Sequence, residues 1–386
     1  IKKNLNPYWK PFKVSSLDLC DNNYNEDIRL RVWDYDKIGK NDLIGEAYLK
    51  VNDLKTSATF DLKIHGKSKS QGKVEIGTFK KTKMYCFDDY LKGGLCFTTI
   101  IAIDFSEQNK PIRSPDSLHY LGGANEYESA FRACAQTIAN IDSDQKIPVW
   151  GFSARLNGQL SRCFSLTFNP SMPKVNGVQE VIDCYRNALN CVSLGSPKEL
   201  LEVLNTVKML VEQKLVMGVN EYFVLFIFVS PGDIADIAKV KDMIVELSDM
   251  PLSVIFVGIG AGDFSKLSFL DDGWRRFRSS VGKKCLRDSV DLIRYRSLFS
   301  RSQNNQIEAI MQGEIYKTIT EQSLEYFKMK KMVPGQTSVA GVGFGSSAPM
   351  FNRSVNTNMG LGNINPMMGQ QQNQMMNRPA MNPMAG

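Results

Sequence analysis

Histidine is almost missing from this chain: 386 residues contain only His65 and His119. Acid–base catalysis through imidazole therefore has almost no material to work with. Cysteine occurs eight times, at 20, 86, 96, 134, 163, 184, 191 and 285, but no two stand in a C-x-x-C spacing. That scatter argues against a zinc site and a disulfide framework, and for reduced thiols in a cytosolic protein. Long apolar runs are missing too. The longest, 222–229 and 252–259, are the length of a buried strand and far short of the ~20 residues that span a bilayer. Any membrane contact is expected to be peripheral. No leader of basic, apolar and small residues opens the chain. Ile1 is not an initiator Met, so the sequence is expected to begin inside a longer protein.

Enzyme motifs are equally scarce. Gly151-Phe-Ser153-Ala-Arg155 carries Arg155 where a nucleophile elbow needs its second Gly. Gly258-Ile-Gly260-Ala-Gly262 follows a strand-like run, yet Asp263 holds the last position of the G-x-G-x-x-G fingerprint, which leaves a tight turn as its default role. No Walker A loop and no kinase signature set is present. His119 is expected to pack or to cap. The enzyme class is set aside.

What is there is a globular composition, 43% apolar, with a net charge of +7. That charge fits weak attraction to anionic surfaces or an ordinary solvated surface, and nothing points to nucleic acid. Residues 1–85 read as strands. Ile28-Arg-Leu-Arg-Val-Trp33 alternates apolar and charged side chains, and 73–79 is a second candidate. Lys63, Lys67, Lys69, Lys73, Lys80, Lys81 and Lys83 crowd one stretch against a single Glu75. They form a solvated face or a patch for anionic lipid.

From Leu95 the texture changes. Apolar runs at 95–103, 146–152, 222–229 and 252–259 alternate with helical patterns near 126–140, 178–190, 198–215 and 236–249. Such alternation implies a mostly parallel sheet with helices on both faces. A last helix places Ile307, Ile310, Met311, Ile315 and Ile319 on one stripe, which reads as core contact. Beyond residue 332 only Arg353 and Arg378 are charged amid Met, Asn, Gln, Gly and Pro. Too little apolar surface is available there to offset ordering, so 333–386 is expected to be a disordered tail. The expected parts are thus 1–85, 86–332 and 333–386.

Two carboxylate loops carry the chemistry. Asp34-Tyr-Asp36 is followed by Asp42, in the spacing D-x-D-x-x-x-x-x-D. Calcium takes six to eight oxygens at ~2.4 Å, and clustered loop carboxylates supply them. The stretch resembles the third calcium-binding loop of a C2 domain, and Asn6-Pro7-Tyr8-Trp9 is similar to that family's N-P-x-W signature. The resemblance implies an all-β sandwich of which only the C-terminal half is present. It also implies a calcium site at Asp34, Asp36 and Asp42 that lacks the aspartates of an earlier loop.

The second loop is Asp104-Phe-Ser106-Glu-Gln108, at the carboxyl end of the first α/β strand, where ligands collect in open parallel sheets. It resembles the first metal loop of a von Willebrand A domain, a Rossmann-like fold. Phe87-Asp-Asp-Tyr-Leu-Lys-Gly-Gly94, Ser117-Leu-His-Tyr120, Asn125-Glu-Tyr127, Gly151-Phe-Ser-Ala-Arg155, Gly258-Ile-Gly-Ala-Gly-Asp-Phe264 and Leu286-Arg-Asp288 follow in the order found in copines. The resemblance covers roughly 1–332. It implies a cytoplasmic adaptor that binds acidic phospholipids with calcium, moves to the inner face of the plasma membrane when calcium rises, and recruits other proteins through its A domain. The A-domain loops depart from the family pattern. Gln108 stands at the second hydroxyl position, Pro197 at the expected place of the second-loop Thr, and Ser230-Pro231-Gly232 where the family has T-D-G. Asp104 and Ser106 are then the remnant of a site expected to hold magnesium or manganese weakly or not at all, with Gln108, Ser196 or Asp233 as substitute ligands. A constitutive scaffold that keeps the copine fold is the competing reading.

Overall fold

The computed structural model describes residues 4–35, 39–64, 66, 69–123, 125–138, 141–142, 145–218, 221–301 and 306–335. The chain divides into two units, 1–338 and 339–386, and the second lies outside the described residues. The expectation of a disordered tail falls on those residues, apart from 333–335.

The charged–apolar alternation at the start of the chain becomes β1 (Ile28–Asp34), paired antiparallel with β2 (Asp42–Leu49). A second hairpin joins β3 (Thr59–Leu62) to β4 (Gly72–Glu75). The two are stitched by reciprocal backbone bonds of 2.9 Å between Glu46 and Lys63. A Cβ on Gly45 would lie 2.9 Å from Leu62 Cβ, so only glycine lets β2 come this close to β3. Ala47, Leu62 and Val74 bury a small core between the hairpins. Two expectations need correction. The strand expected over 73–79 stops at Glu75, because Gly77 and a bend follow. Nor is 1–85 all strand: Ser15 caps a short helix, α1 (Ser16–Cys20), its hydroxyl accepting from Asp18 N at 3.0 Å.

The larger part begins at α2 (Phe87–Lys92) and β5 (Cys96–Asp104), and β5 is buried from Phe97 to Asp104. Helix α3 (Glu126–Ile138) leads to β6 (Lys146–Phe152), which pairs parallel with β5. The short strands β7 (Ala154–Leu156) and β8 (Gln159–Ser161) form a hairpin, and β9 (Phe164–Ser165) and β10 (Lys174–Asn176) lie antiparallel on β6. Helix α4 (Gly177–Cys191) precedes β11 (Ser193–Leu194), which closes on β7. Helix α5 (Leu201–Val216), β12 (Glu221–Val229), α6 (Ile237–Leu247), β13 (Leu252–Gly258), α7 (Ser265–Asp272), β14 (Val290–Arg294) and α8 (Ile307–Met329) complete it.

The sheet order is β10-β6-β5-β12-β13-β14, with β5, β6, β12, β13 and β14 parallel. Strands β12 and β13 are apolar on both faces, as a sheet covered by helices on each side requires. One face packs against α3, α4 and α8, the other against α5, α6 and α7. The expected Rossmann-like architecture of the von Willebrand A type is therefore present. The stripe expected on the last helix is core contact: Ile307, Met311, Ile315 and Ile319 are buried.

Order reverses at β5. Its neighbour β6 is the next strand in sequence, whereas β12 on its other side arrives only after α3, α4 and α5. The crevice outside the carboxyl ends of β5 and β12 is thus the topological switch point of the sheet.

Both ends of this part meet at the opposite pole. Tyr90 in α2 stacks on Phe327 near the end of α8 with ring centroids 4.3 Å apart, and its hydroxyl donates to Met332 O at 3.0 Å. A Cβ on Gly93 would lie 2.4 Å from Gly335 N, so the segment leaving α8 rests directly on the start of β5.

Candidate functional site

In the β1–β2 hairpin, Asp34 and Asp42 are register partners at the end that leads into the connecting loop. A bulge just before them accommodates Ile44 as an extra residue, and bulges of this kind re-aim side chains at a strand end. Both carboxylates are exposed, and no ion pair among the described residues engages either. Asp36, the third residue expected in this cup, lies outside the described residues. Facing carboxylates repel, which a cation shared between them would reverse. Asp34 and Asp42 are the two described members of the calcium site expected at Asp34, Asp36 and Asp42. Around them Trp33 and Tyr35 are exposed, 49% and 73%.

The glutamate behind the loop has a different fate. Glu46 is paired with Arg29 at 2.7 Å and Arg31 at 3.4 Å, and the Arg29 hydrogen bond holds its carboxyl below the usual range. It is thereby committed to the strand face. Lys63, Lys69, Lys73, Lys80, Lys81 and Lys83 are all exposed. Of these, Lys81 lies over the Tyr24 ring at 3.5 Å and Lys83 over Tyr85 at 4.9 Å.

The A-domain site sits at the switch point. Strand β5 delivers Asp104, with no exposure at all, and Ser106 beside it. Asp104 Oδ1 accepts from Ser106 N at 2.8 Å, while Oδ2 accepts from Ser230 N at 3.0 Å and Ser230 Oγ at 2.5 Å. The first two loops are zipped together by Gly195 N to Phe105 O at 3.0 Å and Glu107 N to Gly195 O at 2.8 Å. A Cβ on Gly195 would lie 2.6 Å from Ser153 O, so this close approach depends on glycine.

The helix expected over 198–215 begins only at Leu201, and the reason places a residue that sequence reasoning missed. Asp236, from the loop before α6, accepts from Leu200 N at 3.1 Å and Leu201 N at 2.7 Å, capping α5 from outside. Ser153 Oγ, the residue of the failed nucleophile elbow, accepts from Glu199 N at 3.1 Å. Held by these two contacts, the chain before α5 turns Lys198 inward. Its ammonium donates to Ser230 O at 2.7 Å and Pro231 O at 3.2 Å, and lies 3.7 Å from Asp104 Oδ2. Burial pulls the ammonium below the usual lysine range, and the Asp104 carboxylate opposes that pull.

The substitute ligands do not converge. Gln108 is exposed and donates from Nε2 to the main-chain oxygen of Asp233 at 3.1 Å. The Asp233 side chain is 74% exposed and faces Lys266 at 3.9 Å, and Ser196 is exposed. Pro231 has no side-chain oxygen to offer. Pro197, expected at the second-loop ligand position, is also exposed, and the side chain that reaches the centre is its neighbour Lys198. A divalent cation needs oxygens that converge and are free to bind it. Here they are committed to Ser106, Ser230 and a lysine, so the residues present do not fit magnesium or manganese. Among the described residues, no three His, Cys, Asp or Glu side chains are placed to hold a metal.

Behind this site His119 is fully buried, stacked 4.7 Å from Tyr127 and 5.3 Å from Phe105 between ring centroids. Its Nδ1 is 2.9 Å from Tyr185 Oη, and burial pushes its pKa down to about 4. The ring is a neutral packing element. Tyr127 Oη in turn donates to Asn109 Oδ1 at 2.7 Å, and Asn109 Nδ2 to Asp104 O at 3.2 Å, fixing the loop after β5.

The family model described as Copine matches residues 117–335, more than half of the chain. The chain belongs to the copine family. The model described as C2 domain matches residues 1–65. This copine is 32% identical over 346 residues to Protein BONZAI 1 of Arabidopsis thaliana, an alignment covering 86% of the chain and 58% of that relative's length. The copine chain thus corresponds to little more than half of that relative. Among solved structures it is similar to the manganese-loaded TRAP protein of Plasmodium vivax, at 8% identity and TM-score 0.33 over 60% of this chain and 74% of that one. A von Willebrand factor type A protein from Catenulispora acidiphila is similar at 12% identity and TM-score 0.31, over 58% of this chain and 43% of that one.

Proposed function

We infer that the protein is a calcium-dependent phospholipid-binding adaptor that recruits other proteins to membranes through its copine A domain, and that it is not an enzyme. The observation that carries this reading is the pairing of Asp34 with Asp42 at the exposed hairpin end, beside Trp33 and Tyr35. Asp34 and Asp42, with Asp36, would hold calcium. The bound ion would neutralise the loop and offer positive charge to an anionic headgroup. The chain's own residues do the rest. Indole and phenol rings favour the interfacial layer of a bilayer, and an exposed run of lysines adds attraction that falls off within a Debye length. Among the described residues no helix is long and apolar enough to cross a membrane, and the contact proposed is peripheral. On this reading the protein is cytoplasmic and settles on the inner face of the plasma membrane when calcium rises. Its further partners are proteins that dock on the A domain.

A second reading, a constitutive scaffold with a degenerate metal site, is favoured by one observation, the Lys198–Asp104 pair. Sedimentation with phosphatidylserine vesicles separates the two. The adaptor pellets with calcium and stays in solution with a calcium chelator; the scaffold behaves alike in both.

A further inference from the structure

A carboxylate with no exposure must be answered by a cation or by enough hydrogen bonds, because water cannot reach it. Asp104 is such a carboxylate, and the charge that answers it comes from within the chain. The Lys198 side chain has 0% exposure. Around its nitrogen stand Ser230 O at 2.7 Å, Ser230 Oγ and Pro231 O at 3.2 Å each, and Asp104 Oδ2 at 3.7 Å. Four oxygens from the carboxyl ends of β5 and β12 thus converge on one positive atom, at the switch point of the sheet. We propose that the Lys198 ammonium is a tethered resident cation that occupies the place of a divalent metal in this A domain. The domain is therefore assembled without magnesium or manganese and has no open coordination position to offer an acidic side chain of a partner.

Charge and geometry both favour the ammonium over a metal. Asp104 is the one fully buried carboxylate among these loops, since Pro231 has no acid and the Asp233 side chain is largely in solvent. One negative charge is balanced by one ammonium, whereas a divalent ion would leave an excess. An ammonium accepts donor distances near 2.7–3.2 Å, while magnesium demands six oxygens at about 2.0–2.1 Å in octahedral array. A metal entering this cradle would also meet the lysine charge within a few ångströms. The position of Lys198 is enforced from two sides, by Asp236 capping α5 and by Ser153 holding Glu199 N, so the inward turn is built into the loop. This inference goes beyond the membrane reading, and its test involves no vesicle.

The test uses manganese as the probe, read by its paramagnetic resonance, with unfolding midpoints measured in parallel on the whole chain. Manganese bound by the wild type is expected to be insensitive to Asp104→Asn, and the A-domain midpoint is expected to be unmoved by a chelator. Lys198→Met strands the carboxylate and should lower the midpoint by about 10 °C. Adding Asp104→Asn to Lys198→Met should restore a large part of that loss, because the pair is removed together. Manganese binding by the wild type that disappears in Asp104→Asn would overturn the proposal, and this holds even where Lys198→Met fails to fold. Strict additivity of the two substitutions would overturn it as well.

Discussion

Asp34 and Asp42 face one another across the end of a two-stranded hairpin, each the register partner of the other. A cross-strand pair of like charges is unfavourable by several tenths of a kcal/mol to about 1 kcal/mol in an isolated sheet. The hairpin tolerates it because both side chains reach water, and the repulsion is what a cation would relieve.

Neutralising one carboxylate of the cup should therefore weaken calcium response without unfolding anything. Asp36→Asn and Asp34→Asn are each expected to raise the calcium needed for half-maximal vesicle binding by roughly tenfold, the equivalent of about 1.4 kcal/mol. Titration of calcium in a sedimentation series measures the shift. An unchanged midpoint in both variants would remove these residues from the mechanism.

The chain beyond Gly335 and the three residues before it should behave differently on deletion. Removing 336–386 is expected to leave the unfolding midpoint unchanged. Removing 332–386 takes away the Met332 carbonyl that receives the Tyr90 hydroxyl, and should cost stability. Gly93→Ala drives a Cβ against Gly335 N and should cost about 1–3 kcal/mol. Chemical denaturation of the three variants distinguishes these outcomes, and a large loss on removing only 336–386 would contradict the first.

His119 gives the domain an acid-labile element. Burial lowers its folded pKa from 6.5 to about 4, so between those values the unfolded chain binds a proton that the folded one does not. Stability is therefore lost as pH falls from about 6.5 to about 4, by at most about 3 kcal/mol. His119→Phe keeps the stack between Phe105 and Tyr127 and should flatten this slope. The difference between wild type and variant across pH 4–7 isolates the effect from other groups.

Asp271 acts in the opposite sense. Burial first, then the charges of Asp291, Asp272 and Asp288, raise its pKa from 3.8 to about 7. Its folded form holds a proton that the unfolded form releases, so stability falls as pH rises from about 4 to about 7. Asp271 is partly exposed, which reduces the effect to about 1–2 kcal/mol. Asp271→Asn should remove that decline, seen as a smaller drop in unfolding midpoint between pH 5 and 8.

The four inner strands β5, β6, β12 and β13 were legible because they are long apolar runs, whereas the short or edge strands β9, β10 and β14 left no such pattern. Runs such as Phe-Val-Leu-Phe-Ile-Phe in β12 have no surface reading, and the strand edges fall within a residue of where the pattern ends. The absence of an acid at Pro231 was equally plain. What the pattern could not show is where a side chain goes when a loop turns inward. Lys198 sits between Pro197 and Glu199 like any surface lysine. The signals that decide it are non-local: Asp236, 38 positions later, caps α5, and Ser153, 45 positions earlier, holds the adjoining backbone. The β1–β4 region was read as more regular than it is, because alternation marks a strand but not its end, which Gly77 sets.

The meeting of Tyr90, Gly93, Phe327 and Gly335 decides how the A domain is tethered. The chain comes in at the amino end of β5 and goes out against that same spot. The Asp104 loops lie at the other end of a nine-residue strand, on the order of 25 Å away. The domain is therefore hung from one pole like a bell from its crown, with the rim formed by the loops after β5 and β12. Forces transmitted along the chain pass through the crown without crossing the rim, so pulling on a tethered copine would leave those loops undistorted.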